Sequence, residues 1–147
     1  MNDGSQVAAL AEGIRGRLLR AARDAARNAY APYSGFPVGS AVLTASGDIV
    51  TGANVENASS GLTNCGERVA IQTAAAMGHR EIVAVAVSAP RAAGTTPCGA
   101  CRQVMNEFKP QNREMLVILD YFDSSTVVPL SELLPRSFGP QDLERAT

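Results

Sequence analysis

Cysteine is scarce in this 147-residue chain, and all three copies fall in two short motifs, Cys65-Gly66-Glu67 and Pro97-Cys98-Gly99-Ala100-Cys101. Three thiolates hold one Zn²⁺ and leave the fourth tetrahedral position for water, the layout of a catalytic zinc rather than a closed structural one. Glu67 stands two residues after the first candidate ligand, placed to handle that water's proton. Both motifs fall at predicted loop-to-helix junctions, where the helix dipole and free N–H groups favour a thiolate. Cys98 and Cys101, three residues apart, share one face of a helical first turn. A three-thiolate zinc site carries a net negative charge that weakens its hold on the water's acidity, and a nearby cation would offset it. Arg68 or Arg102 is therefore expected to hydrogen-bond a ligand sulfur.

Blander explanations exist for the same residues. The C-x-x-C pair suits a redox couple, and three cysteines suit an apolar core, but Glu67 and Pro97 would then be coincidences. A structural zinc needs a fourth ligand, and His79 is the only histidine. It follows Gly78 at the end of a predicted helix, roughly 20 Å from the metal end at about 1.5 Å per residue, and reads as a surface residue.

The elements that must position these motifs follow from periodicity and breakers. Residues 6–29 read as a first helix, with Leu10, Ile14, Leu18, Ala22, Ala25 and Ala29 along one face and Gly13 and Gly16 weakening its early turns. Ala31-Pro32-Tyr33-Ser34-Gly35 breaks it. Val38–Thr44 and Ile49–Val55 read as a hairpin around Ala45–Asp48. Residues 57–63 form a loop, Cys65–Met77 an alanine-rich helix ended by Gly78, and Ile82–Ser88 an interior strand. After a loop to Pro97 come a helix over Ala100–Phe108, a buried strand over Met115–Asp120, a weaker one over Thr126–Leu130, and a short helical turn at Leu133-Leu134-Pro135 before an extended end. Helix, hairpin, helix, strand, helix, strand predicts an α/β fold with a sheet layered between helices.

Length favours one domain over residues 1–147, and 46% hydrophobic against 18% charged residues marks a globular chain. With 13 basic against 14 acidic residues and no Lys/Arg block, long nucleic acid is a poor partner. No apolar run reaches the roughly 20 residues that span a bilayer, and Met1–Ser5 lacks a basic-then-apolar signal pattern. Thiolate ligands must stay reduced, so a cytoplasmic location is expected.

Beyond its cysteines the chain resembles the small, homotetrameric cytidine deaminases. The resemblance runs through Ala31-Pro32-Tyr33-Ser34-Gly35-Phe36, Val38-Gly39, Asn54-Val55-Glu56-Asn57-Ala58, Cys65-Gly66-Glu67-Arg68, Pro97–Val104, Leu133-Leu134-Pro135 and Phe138. It implies a three-layer α/β/α fold with a mixed five-stranded sheet and active sites at subunit contacts. Cys65, Cys98 and Cys101 would bind one zinc per chain, with Glu67 the proton shuttle in converting cytidine or deoxycytidine to uridine or deoxyuridine and ammonia, a step of pyrimidine salvage. Asn54 and Glu56 match positions that hydrogen-bond the ribose, although by residue type alone they suit ordinary strand-end polar sites. Phe36 matches the aromatic that packs on the pyrimidine, and Phe138 one that reaches a neighbouring subunit's site.

Two positions depart from the pattern. Gly66 stands where relatives commonly carry alanine, at a helix cost of roughly 1 kcal/mol, which would loosen Glu67 or enlarge the pocket floor. Ser60 and Gly61 are small where relatives often carry an aromatic reaching the adjoining site. The rivals are a deaminase of another cytosine nucleoside such as blasticidin S, and a non-catalytic zinc-stabilised interaction module. The Asn54-x-Glu56 pair argues against the first and Glu67 against the second.

Overall fold

A computed structural model describes residues 10–145. Among these residues the elements are α1 (Glu12–Ala26), β1 (Gly39–Thr44), β2 (Ile49–Ala53), α2 (Gly66–Ala76), β3 (Ile82–Ser88), α3 (Gly99–Phe108), β4 (Leu116–Asp120), β5 (Ser125–Pro129), α4 (Leu130–Leu133) and α5 (Pro140–Arg145), with a 3₁₀ turn at Ser60–Leu62. The strands form one mixed sheet of five in the order β2-β1-β3-β4-β5. β3 and β4 run parallel, and the other neighbours are antiparallel. The α/β fold with a mixed five-stranded sheet is therefore present.

The central strand shows how sequence alternation builds the layers. Side chains along a strand point to opposite faces in turn. Ala84 and Ala86 of β3 join Ala41 and Ile118 beneath Leu18, Leu19 and Ala22 of α1. Val85 and Val87 face the other way, onto Ile71 of α2 and Met105 of α3. Small residues on the α1 side let that helix lie close. At Gly39 an added Cβ would sit 1.9 Å from the Ala22 carbonyl oxygen, so only glycine permits the approach. Gly52 does the same for α2, where a Cβ would meet the Ala70 nitrogen at 2.4 Å. That contact seats the start of α2 against the hairpin.

Several boundaries differ from the sequence-based expectation. Among the described residues the first helix occupies Glu12–Ala26 and stops short of residues 27–29; residues 6–9 of the expected span lie outside the described residues. Gly13 and Gly16 are both inside it, and it ends early because Arg27, Asn28 and Ala29 turn their N–H groups to carbonyls three residues back. β2 stops at Ala53, after which Val55 bridges Tyr30 and Asn64. The tail is not extended: α5 forms at Pro140–Arg145. Proline is pre-organised for the first helical position, and Asp142 accepts the Gly139 N–H at 2.8 Å.

Candidate active site

Cys65 and Cys98 each cap the start of a helix, in extended backbone at φ −73°, ψ 155° and φ −68°, ψ 170° respectively, with α2 and α3 beginning at the next residue. Packing of α2 beside α3 brings the two N-termini together. Cys65 Sγ lies 3.8 Å from Cys98 Sγ, and Cys98 Sγ lies 3.4 Å from Cys101 Sγ. Cys101, one turn into α3, is fully buried, and all three sulfurs fall within 4.8 Å of one another. A tetrahedral site with Zn–S bonds of about 2.3 Å separates its sulfurs by about 3.8 Å. The donor set fits one zinc in both chemistry and size.

Electrostatics favour a thiolate in this cluster. Arg68 Nη2 donates to Cys65 Sγ at 3.2 Å. The Cys65 thiol falls to about 5, first because Cys101 hydrogen-bonds to it, then with help from Arg68 and Cys98, against the opposing effect of burial. Cys101 moves upward by the same bond and by its burial. Of the two arginines expected at a sulfur, Arg68 is the one found there. Arg102 instead donates to the Pro97 carbonyl at 2.7 Å and the Leu133 carbonyl at 2.8 Å, tying the second cysteine motif to α4. Arg68 Nε is the buried side-chain polar atom without a partner among the described residues. His79 sits beyond the far end of α2, with Nε2 3.4 Å from an Asp48 carboxylate oxygen.

Glu67 occupies the first turn of α2 and is 4% exposed. Burial pushes its carboxyl up to about 7; the Cys65 charge adds to the rise, while a backbone N–H and Arg68 oppose it. A carboxyl near neutrality both accepts and returns a proton readily.

A cleft of about 300 Å³ opens over this cluster, lined by Phe36, Asn54, Glu56, Cys65, Gly66, Glu67 and Cys98. Seven of the candidate residues thus meet in one place, although they come from four separated stretches of chain. Asn54 and Glu56 are not idle strand-end polar residues. Asn54 Oδ1 accepts the Val38 N–H at 2.9 Å, and its Nδ2 donates to the Phe36 carbonyl at 3.0 Å. Glu56 Oε1 accepts the Tyr33 and Ser34 N–H groups at 3.0 and 3.1 Å. Both side chains therefore shape the segment that carries Phe36. Phe138 does not line this cleft; it is 59% exposed, and its carbonyl is held by Gln103 and Asn106.

Gly66 has a different cause from the one expected. A Cβ there would lie 2.7 Å from the Val38 carbonyl oxygen and 3.4 Å from the Asn54 nitrogen. Glycine lets the head of α2 close on the strand end rather than loosening it. Sequence reasoning missed Ser34 as a partner of Glu56, and Thr63, Thr95 and Thr96 as walls of the cleft. Thr95 and Thr96 precede Pro97, and that adjacency was the available signal. A larger hollow of about 580 Å³, between Lys109 and Arg136, holds none of the candidate residues.

Comparison with known proteins agrees with this geometry. Residues 14–117 match the family model described as the cytidine and deoxycytidylate deaminase zinc-binding region. A cytidine deaminase from Halalkalibacterium halodurans is 44% identical over 129 residues, covering 88% of this chain and 97% of that protein. Among solved structures, a cytidine deaminase from Burkholderia pseudomallei superposes with a TM-score of 0.77 at 44% identity, covering 84% of this chain and 98% of that one. The cytidine deaminase from Mycobacterium tuberculosis gives 0.71 at 37% identity, covering 84% and 96%. The matched region contains the whole three-sulfur cluster and Glu67, and the similarity extends over nearly the full length of each relative: the chain belongs to the cytidine deaminase family.

Proposed function

We propose that the chain hydrolytically deaminates cytidine and deoxycytidine to uridine and deoxyuridine with release of ammonia, serving pyrimidine salvage. The observation that carries this reading is the buried Glu67 carboxyl, pushed up to about 7, beside three clustered sulfurs in the wall of a nucleoside-sized cleft. Cys65, Cys98 and Cys101 would hold the zinc, which would supply the Lewis acidity that brings a water's pKa to near neutral. Glu67 takes the proton of the attacking water and delivers it to ring N3 as the C4–O bond forms. It then carries the second proton to the exocyclic amine, which leaves as ammonia. Its burial keeps both proton transfers away from bulk water.

The remaining residues bind and orient. Phe36 packs on the pyrimidine. Asn54 and Glu56 turn their remaining hydrogen-bonding capacity to the ribose, and Gly66 brings the backbone of α2 against the ring. Arg68 steadies the Cys65 sulfur, and Arg102 braces the loop that carries Cys98. We assign Phe138 to a neighbouring subunit's site in a homotetramer, which its 59% exposure supports. Among the described residues no helix is long and apolar enough to cross a membrane. A reducing cytoplasm suits a site built on three free cysteines.

Glu67→Gln tests the assignment. It removes the titrating oxygen at nearly constant shape, so turnover of cytidine should fall by about 10²–10⁴ while zinc content and assembly persist. Retained turnover in that variant would end the proton-shuttle role.

A further inference from the structure

The sugar-facing carboxylate does not stand free in the cleft. Glu56 Oε1 is occupied by the Tyr33 and Ser34 backbone N–H groups, at 3.0 and 3.1 Å. Its Oε2 accepts a hydrogen bond from the Ser34 hydroxyl. The same hydroxyl oxygen accepts the Phe36 N–H at 3.0 Å. Ser34 is thus a two-way link, donating to the residue assigned to the ribose and accepting from the residue assigned to the ring. The turn that presents it is braced from two more sides: the Gly35 N–H bonds the Ala31 carbonyl at 2.9 Å, and Arg91 Nη1 donates to the Gly35 carbonyl at 2.6 Å.

A carboxylate has about four acceptor sites, and three are taken by this turn. The position left lies on Oε2, and its direction is set by where the Ser34 hydroxyl sits. Without that hydroxyl the carboxylate is held at Oε1 alone and turns about it. We propose that Ser34 is a positioning residue for sugar recognition, fixing the Glu56 carboxylate so that its free Oε2 site meets a ribose hydroxyl. Ser34 is exposed and lies outside the sheet and its core clusters, so it acts through Glu56 rather than through stability. The lowering of the Glu56 carboxyl, caused first by the Ser34 hydroxyl, fits an anion held ready by its donors.

This inference rests on the nucleoside deaminase reading, and its test keeps the two apart. Wild type, Ser34→Ala and Ser34→Thr are assayed on cytidine and on 2′,3′-dideoxycytidine, which has the same ring but no hydroxyl at either sugar position. For Ser34→Ala, kcat/KM on cytidine should fall about tenfold further than on dideoxycytidine, chiefly through KM, the size expected for losing one charge-assisted hydrogen bond. The Phe36 link reports equally on both substrates and cancels in the ratio. Ser34→Thr keeps a hydroxyl and should restore most of the cytidine preference. Equal losses on the two substrates would overturn the role of Ser34 while leaving the deaminase reading intact. A wild-type protein that turns over neither nucleoside would overturn that reading and this inference with it.

Discussion

Replacing Arg23 by methionine should destabilise the protein in a way that depends on pH. Arg23 Nε and Nη2 meet the two carboxylate oxygens of Asp120 at 2.8 and 2.7 Å, a bidentate pair spanning α1 and the end of β4. The Asp120 side chain is 0% exposed and that of Arg23 41%. Removing one partner of a fully buried pair costs about 3–5 kcal/mol, whereas an exposed pair contributes about 0–1 kcal/mol. With one partner half-exposed, and with Ser88 and the Phe122 N–H still bonded to Asp120, the cost should be about 2–3 kcal/mol. For a chain of this size that lowers Tm by about 6–9 °C.

The pH dependence gives the sharper test. Burial raises the Asp120 pKa, but hydrogen bonds from Arg23, the Phe122 N–H and Ser88 outweigh it and hold the carboxyl below its ordinary value. A depressed folded pKa stabilises above the unfolded value of about 3.9 and loses that contribution as pH falls through the folded one. In Arg23→Met the largest of the hydrogen bonds opposing burial is gone, so acid relieves a buried charge that has lost its cation. The Tm gap between wild type and variant, followed by calorimetry at fixed protein concentration, should be widest at neutral pH and should close toward about pH 3. A gap below 1 °C at pH 7, or one that stays constant with pH, would mean that the Arg23–Asp120 pair does not stabilise the fold. The pair also reaches the site, since the Asp120 carbonyl accepts the Gly94 N–H at 2.8 Å and so holds the loop carrying Thr95 and Thr96.

Three further outcomes follow from the cleft. Arg68→Gln removes the cation from Cys65 Sγ, and zinc affinity measured by chelator competition should weaken by about 10–100-fold; unchanged affinity would make Arg68 a bystander. Gly66→Ala places a methyl 2.7 Å from the Val38 carbonyl, so Tm should fall by a few degrees, about 1 kcal/mol or more, and KM for cytidine should rise. A more stable variant with the same KM would mean that helix propensity outweighs the close approach. Phe36→Leu removes the ring face from the cleft and should raise KM for cytidine and for dideoxycytidine by similar factors, a comparison that steady-state kinetics makes directly.

Much of the site was legible because its chemistry is local. A metal-binding cysteine announces itself by residue type, and two of the three sulfurs lie within one helical turn, so short-range geometry brings them together. The strands were legible for a similar reason: runs such as Ile82–Ser88 and Leu116–Asp120 are apolar on both faces because helices cover both. What escaped depends on contacts between distant residues. Arg23 and Asp120 are 97 positions apart, and neither carries a motif. Asn54 and Glu56 matched a substrate-binding pattern, but their backbone partners at Tyr33, Ser34, Phe36 and Val38 belong to a turn whose path no periodicity describes. Gly66 was read as a cost to the helix because the Val38 carbonyl that requires it comes from another element. The terminal helix was missed because its signal is only a proline and an aspartate, without an apolar stripe.

The most direct test of a zinc-dependent deaminase is to measure ammonia release from cytidine by the purified, reduced protein together with its zinc content. Turnover is expected with about one zinc per chain, lost on chelation and restored by added zinc. Folded protein that binds no zinc through Cys65, Cys98 and Cys101, or binds it and releases no ammonia from any cytosine nucleoside, would contradict the deaminase reading.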